Sequence, residues 1–194
     1  MASSTNAEPL TEWLRAWQAQ PGGPRMDARV VEAVYGELRR LAAQRLAGES
    51  RSALTPTELV HETWVRLKPP HAPIADRNAF LRLASVAMRN LLVDQARDRL
   101  AGKRGGAHKA VTLSLLSDES SQAYDDTRML DLDRALAALG AEHPRHAEAI
   151  VLRAFGGLAL DEVAVALGIS LATVKRDLEF ARAWLLQALN GADA

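Results

Sequence analysis

Apolar residues recur every three or four positions along nearly the whole chain, which is the period of helices that each bury one face. Leu10, Trp13, Leu14 and Trp17 set the pattern, and the cluster of Pro21, Gly22, Gly23 and Pro24 breaks it. Val31, Val34, Leu38 and Leu41 build a second stripe, and Thr57, Val60, Trp64 and Leu67 a shorter third. Pro69, Pro70 and Pro73 then force a loop. Phe80, Ala84, Ala87 and Leu91, extended by residues 93–96, mark a long helix with a broad apolar face. Residues 101–128 mix glycine, serine and charge without a stripe and read as a linker. Periodicity returns with Met129, Leu132, Leu136 and Leu139, pauses at His143 and Pro144, and resumes with Ile150, Val151, Ala154 and Phe155. Two more stripes follow: Leu160, Val163, Ala164 and Leu167, then Val174, Leu178, Ala181, Leu185 and Leu189. No segment reads as a strand. The expectation is an all-α chain of two small helical domains, 10–100 and 129–190, joined by a flexible linker over 101–128 and preceded by a disordered tail over 1–9.

With 194 residues, 48% of them hydrophobic and 25% charged, the chain can bury one core or two modest ones. It has no cysteine, which excludes a disulfide framework, a thiolate zinc site and a cysteine nucleophile. No apolar run reaches the about eighteen residues of a membrane span, and the first ten residues carry no basic-then-apolar signal. A cytoplasmic protein without membrane contact is expected. His61, His71, His108, His143 and His146 are scattered, and Pro144 interrupts the one close pair. No glycine-rich phosphate loop or catalytic carboxylate pair appears. No enzymatic activity, catalytic residue, metal or cofactor is therefore expected.

Lys plus Arg and Asp plus Glu number 24 each, so any polyanion must be bound by charge separated along the chain. That separation exists. Residues 81–110 hold seven basic and two acidic side chains, net plus five; residues 111–133 hold one basic and six acidic, net minus five.

Residues 158–185 carry the sharpest local pattern. The stripe ending at Leu167 is followed by Gly168, suited to a left-handed helix end, and Ser170, suited to cap the next helix. Two helices joined by so short a glycine-containing turn form a helix-turn-helix, whose second helix enters the DNA major groove. Its outward residues are Leu171, Thr173, Lys175, Arg176, Glu179, Phe180 and Arg182. The lack of strong positive charge here points to a weak reader used within a larger assembly. A plain helical hairpin is the alternative.

Three blocks then resemble a known family in its own order. Residues 57–67, with Leu59, Val60, Glu62, Thr63 and Arg66, resemble the helix that docks bacterial RNA polymerase sigma factors of the extracytoplasmic-function (ECF) type on the polymerase clamp. Residues 79–97, with Arg89, Asn90, Leu91, Asp94 and Arg97, resemble that family's promoter-melting and minus-ten helix. Thr173, Val174, Lys175, Ala181 and Arg182 resemble its minus-thirty-five reader. The resemblance implies that Glu58, His61, Glu62 and Arg66 meet core RNA polymerase. It implies that Asp76, Arg77 and Asn78 line a pocket for unstacked bases, with Asp76 or Asn78 alternatively a helix cap. It also implies that Arg82, Arg89, Asn90, Arg97 and Arg99 approach minus-ten promoter DNA. A tether makes the second of two weak DNA contacts effectively intramolecular.

Two departures matter. Where the family carries Asp-Ala-Glu-Asp, this chain has Thr55, Pro56, Thr57 and Glu58, so docking loses negative charge. This resembles a subgroup linked to serine/threonine protein kinases, in which phosphorylation restores the charge. Thr57 is the first candidate, with Thr55, Thr63 and Ser52 as alternatives; Thr55 or Thr57 as a plain N-cap is the competing reading. An anti-sigma factor is a further implied partner. In the reading helix, Asp177 stands where the family usually has Arg and, with Glu179, gives a mixed-charge helix. The alternative function is a conventional helix-turn-helix regulator with an N-terminal oligomerisation domain, which would bind operator duplex unaided.

Overall fold

The structure, a computed structural model, describes residues 28–46, 55–67, 76–101, 111–112, 123–124 and 126–191. The expected first helix, the tail, most of the linker, His71, His108 and Ser52 lie outside these residues. The fold is all-α. In chain order the elements are α1 (Ala28–Leu46), α2 (Pro56–Leu67), α3 (Arg77–Ala101), β1 (Val111–Thr112), β2 (Ala123–Tyr124), α4 (Asp126–Glu142) and α5 (Pro144–Ile150). Next come a π-helical turn (Val151–Phe155), α6 (Leu160–Leu167) and α7 (Leu171–Gly191). No helix among the described residues is long and apolar enough to cross a membrane.

Local chemistry sets the helix ends. At α2 the Thr55 hydroxyl accepts from the Glu58 amide at 3.2 Å while the Glu58 carboxylate accepts from the Thr55 amide at 2.7 Å, a capping box with Pro56 at the first helical position. At α3 the Asp76 carboxylate accepts from the Ala79 amide at 2.8 Å. Asp126 opens α4 three residues before the expected boundary at 129: it favours a helix N-terminus and is buried against Arg99 at 2.7 Å. One strand expectation needs correcting. Val111 pairs with Tyr124 and Thr112 with Ala123 in a two-residue antiparallel bridge, too short to leave an alternating pattern in the sequence.

Helix α3 is the centre of the molecule. Phe80, Ala84, Ala87 and Leu91 form the expected apolar stripe, and α1 and α2 bring Val34, Leu38, Leu41, Leu59, Val60 and Leu67 to the same core. A second stripe, Leu81, Ser85, Met88 and Leu92, is buried as well. Its Ser85 lies against Gly156, and α3 packs on α4 and on the π-helical turn. Burying each large side chain of that stripe stabilises by about 1.5–3 kcal/mol. Buried residues from both halves of the sequence thus form one continuous cluster.

Gly156 follows the point where the helix widens. Its amide donates to the Val151 carbonyl five residues back at 3.1 Å, and the Leu158 amide reaches Leu152 at 3.2 Å. A Cβ on Gly156 would lie 2.0 Å from Ser85 Oγ and 2.7 Å from the Leu152 carbonyl oxygen. Only glycine allows that approach of the two halves.

Candidate nucleic-acid interface

The α6–α7 corner is built as its sequence requires. Gly168 has φ +66°, its amide donates to Val165 at 3.3 Å, and the Ile169 amide donates to Ala164 at 3.0 Å. This pair of bonds closes α6 in a Schellman motif. Ser170 Oγ then accepts from the Thr173 amide at 3.1 Å and starts α7. Val174, Leu178, Ala181 and Leu185 face inward, while Leu171, Lys175, Arg176, Glu179 and Phe180 are exposed. Thr173 and Arg182 are half-buried, and the Thr173 hydroxyl is shared with Ser170 at 2.8 Å.

Asp177 does not belong to the outward face. It is buried, and both carboxylate oxygens accept from Arg145 of α5, at 2.7 and 3.0 Å. The exposed surface of α7 is therefore less mixed in charge than its sequence suggests: Lys175 and Arg176 against Glu179 alone. Hydrogen bonding and charge from Asp177 hold the Arg145 guanidinium above its ordinary pKa, outweighing desolvation. Phe180 is flanked by the rings of His143 and His146, with centroids 4.8 and 4.5 Å away. These two histidines anchor the exposed aromatic.

The arginines of α3 do not lie free. Arg89 bonds the Asp133 carboxylate at 2.7 Å and its carbonyl at 3.1 Å, and Arg97 reaches the other oxygen of Asp133 at 3.4 Å. Arg99 pairs with Asp126 at 2.7 Å. Arg82 pairs with Glu148 at 3.0 Å and donates to the Ala166 carbonyl. Arg77 joins Glu37 of α1 and, at 3.2 Å, Glu162 of α6; Arg40 holds the same two carboxylates. Burial pushes Glu37 up in pKa, but the hydrogen bonds and charges of Arg40 and Arg77 outweigh it and hold Glu37 below its ordinary value. Asn78 is half-buried beside Asp76, which acts as the cap of α3. Asn90 stays exposed and shares the open side of α3 with Leu83, Val86 and Arg97.

On α2, Leu59, Val60, Thr63 and Leu67 face the core. Glu58, His61, Glu62, Val65 and Arg66 face outward, and Arg66 turns toward α3 to meet Asp94 at 2.7 Å. Thr57 is exposed in the first turn, and Thr55 is spent on the cap. Thr63 is fully buried, with its hydroxyl donating to the Leu59 carbonyl at 2.6 Å, whereas Thr57 faces solvent. The sequence offered it as an alternative to Thr57; its burial follows from the four-residue step from Leu59.

A sequence model described as ECF sigma factor matches residues 7–191. The chain belongs to the ECF sigma factor family. Sigma factors of this family bind core RNA polymerase and promoter DNA and direct transcription initiation; many are held by anti-sigma factors. They are transcription factors rather than enzymes. No curated protein and no solved structure matches this sigma factor. Membership replaces the alternative of a conventional regulator. What sequence reading missed in this sigma factor is the acidic set on the C-terminal helices, Glu148 and Glu162, and the contact of Ser85 with Gly156. The one available signal was the second apolar stripe of α3.

Proposed function

We propose that this sigma factor docks on core RNA polymerase through the outer face of α2, with Glu58, His61, Glu62 and Arg66 in contact. Minus-ten DNA is taken by Asp76, Arg77, Asn78, Arg82, Arg89, Asn90, Arg97 and Arg99, and the minus-thirty-five duplex by the exposed N-terminal half of α7. The observation that carries this reading is shared by two helices, α2 and α7. Both bury one stripe and leave the residues assigned to partners on the other side. Guanidinium groups suit phosphates and guanine edges.

Docking is switched by phosphorylation of Thr57 by a serine/threonine kinase. Thr57 is exposed, and it sits in the first turn of α2, where the helix dipole favours negative charge. The Glu58 carboxylate is turned back onto the Thr55 amide and hydroxyl, so the local acid already serves the cap. A phosphate adds nearly two charges at neutral pH. The protein acts in the cytoplasm, beside the polymerase.

Capture of core polymerase and in vitro transcription test this reading together. Thr57→Glu is expected to raise binding and run-off product about tenfold over unmodified protein, and Thr57→Ala to abolish the gain from kinase treatment. Full activity of unmodified protein, unchanged by Thr57→Glu, removes the switch. Absence of polymerase binding in every modification state removes the function.

A further inference from the structure

Phe180 lies at the edge of the face that α7 turns outward: Arg176, one turn before it, is exposed, and Asp177, three residues before it, is buried. Two imidazoles from the corner between α4 and α5 close on that ring, His143 edge-on at 4.8 Å and His146 tilted at 4.5 Å, with 5.5 Å between the two. Both are half-buried, and the His146 side chain keeps 22% of its surface open. A helix nearly fills the major groove, about 12 Å wide, so its edges are what meet the phosphates. The imidazoles therefore stand where the proposed minus-thirty-five face borders the DNA backbone.

The charges around them decide what a proton would do there. Asp177 of α7 lies 3.5 Å from His146, but both its oxygens already accept from Arg145, at 2.7 and 3.0 Å. Glu148 of α5 pairs with Arg82 of α3, and Glu162 of α6 with Arg40 and Arg77. Arg153 of the π-helical turn donates to the Leu158 carbonyl. Glu142 at the end of α4 and Arg176 and Glu179 of α7 are exposed. With Asp177 matched by Arg145, a proton on His146 adds positive charge to this edge rather than completing an internal ion pair. Imidazole is the side chain that takes up a proton within the physiological pH range, and an aromatic ring face attracts a cation.

We propose that His143 and His146 are further minus-thirty-five contacts, donating as imidazolium groups to one phosphate strand beside Phe180, so that this surface holds DNA more tightly as pH falls. This deepens the assignment of α7 to the minus-thirty-five duplex and rests on it. Because the protonated form is the one that holds phosphate, DNA binding takes up protons and affinity rises on acidification. Each added phosphate contact also steepens the fall of log affinity with log salt by about one.

Backbone contacts do not depend on base sequence, so a short fluorescent duplex of mixed sequence is a sufficient probe for the full-length protein. From about pH 8 to about pH 5.5 the wild type is expected to gain about tenfold in affinity and to steepen in salt slope by about one to two. His143→Gln with His146→Gln should lose most of both gains. His146→Lys, charged throughout, should bind more tightly than wild type at about pH 8 and depend less on pH. A glutamine variant that follows the wild type at every pH, a lysine variant with no gain at the alkaline end, or a wild type that fails to bind or shows no pH dependence overturns the proposal. Lys175→Ala with Arg176→Ala separates this from failure of the α7 assignment. If that variant binds weakly at both pH values while the glutamine variant matches wild type, the histidine contacts alone fall. If it binds as wild type does, the α7 assignment falls and the histidine contacts with it.

Discussion

At Asp177 a carboxylate interrupts a helix otherwise lined outward by Lys175 and Arg176, yet it is buried and held by Arg145 from another element. A buried carboxylate without its cation keeps the desolvation cost and loses the return. Arg145→Ala is therefore expected to lower the melting temperature by a few degrees. Adding Asp177→Leu, which replaces the charge with an apolar side chain of similar volume, should recover most of that loss. Equal melting temperatures for wild type and Arg145→Ala would show that the pair contributes nothing. Thr63 and Thr57 make the same point about direction: six residues apart on one helix, one is sealed and the other faces solvent.

Among elements, the α6–α7 corner has the sharpest requirements. Gly168 carries a positive φ with open space where a Cβ would go, so substitution there costs backbone strain alone. Gly168→Ala should destabilise by about 1–2 kcal/mol, read by urea denaturation, and Gly168→Asn by less, since asparagine tolerates the left-handed region. A loss no greater for alanine than for asparagine would contradict the argument. This corner was legible in the sequence because its determinants are local: a stripe, a glycine, a capping serine. The α4 start at Asp126 was less so, because the Arg99 that buries it lies 27 residues away.

For the molecule as a whole, the acid–base cluster of Glu37, Arg40, Arg77 and Glu162 joins α1, α3 and α6 and gives stability a pH dependence. Glu37 titrates lower folded than its ordinary value of 4.5, so near and below that value the unfolded chain binds more protons. The stabilisation is complete above about pH 4.5 and drains as pH falls through the lower folded value. Glu37→Gln should cost stability at pH 7, and the gap to wild type should close on acidification. Denaturant melts between about pH 3 and 7 measure it; a gap independent of pH would rule Glu37 out as its source.

Helix type, most helix ends, the turn before α7 and the family resemblance were all determined by sequence, because each depends on side chains within a turn or two of one another. The even totals of acid and base meant that any polyanion had to be bound by charge separated along the chain, and the basic run before the acidic run showed such a separation. Only tertiary structure decided that the two runs meet, that α3 is buried on two sides, and that Asp177 looks inward. Such contacts join residues 27 to 122 positions apart, and no periodicity within one helix records which distant partner will cover its second face.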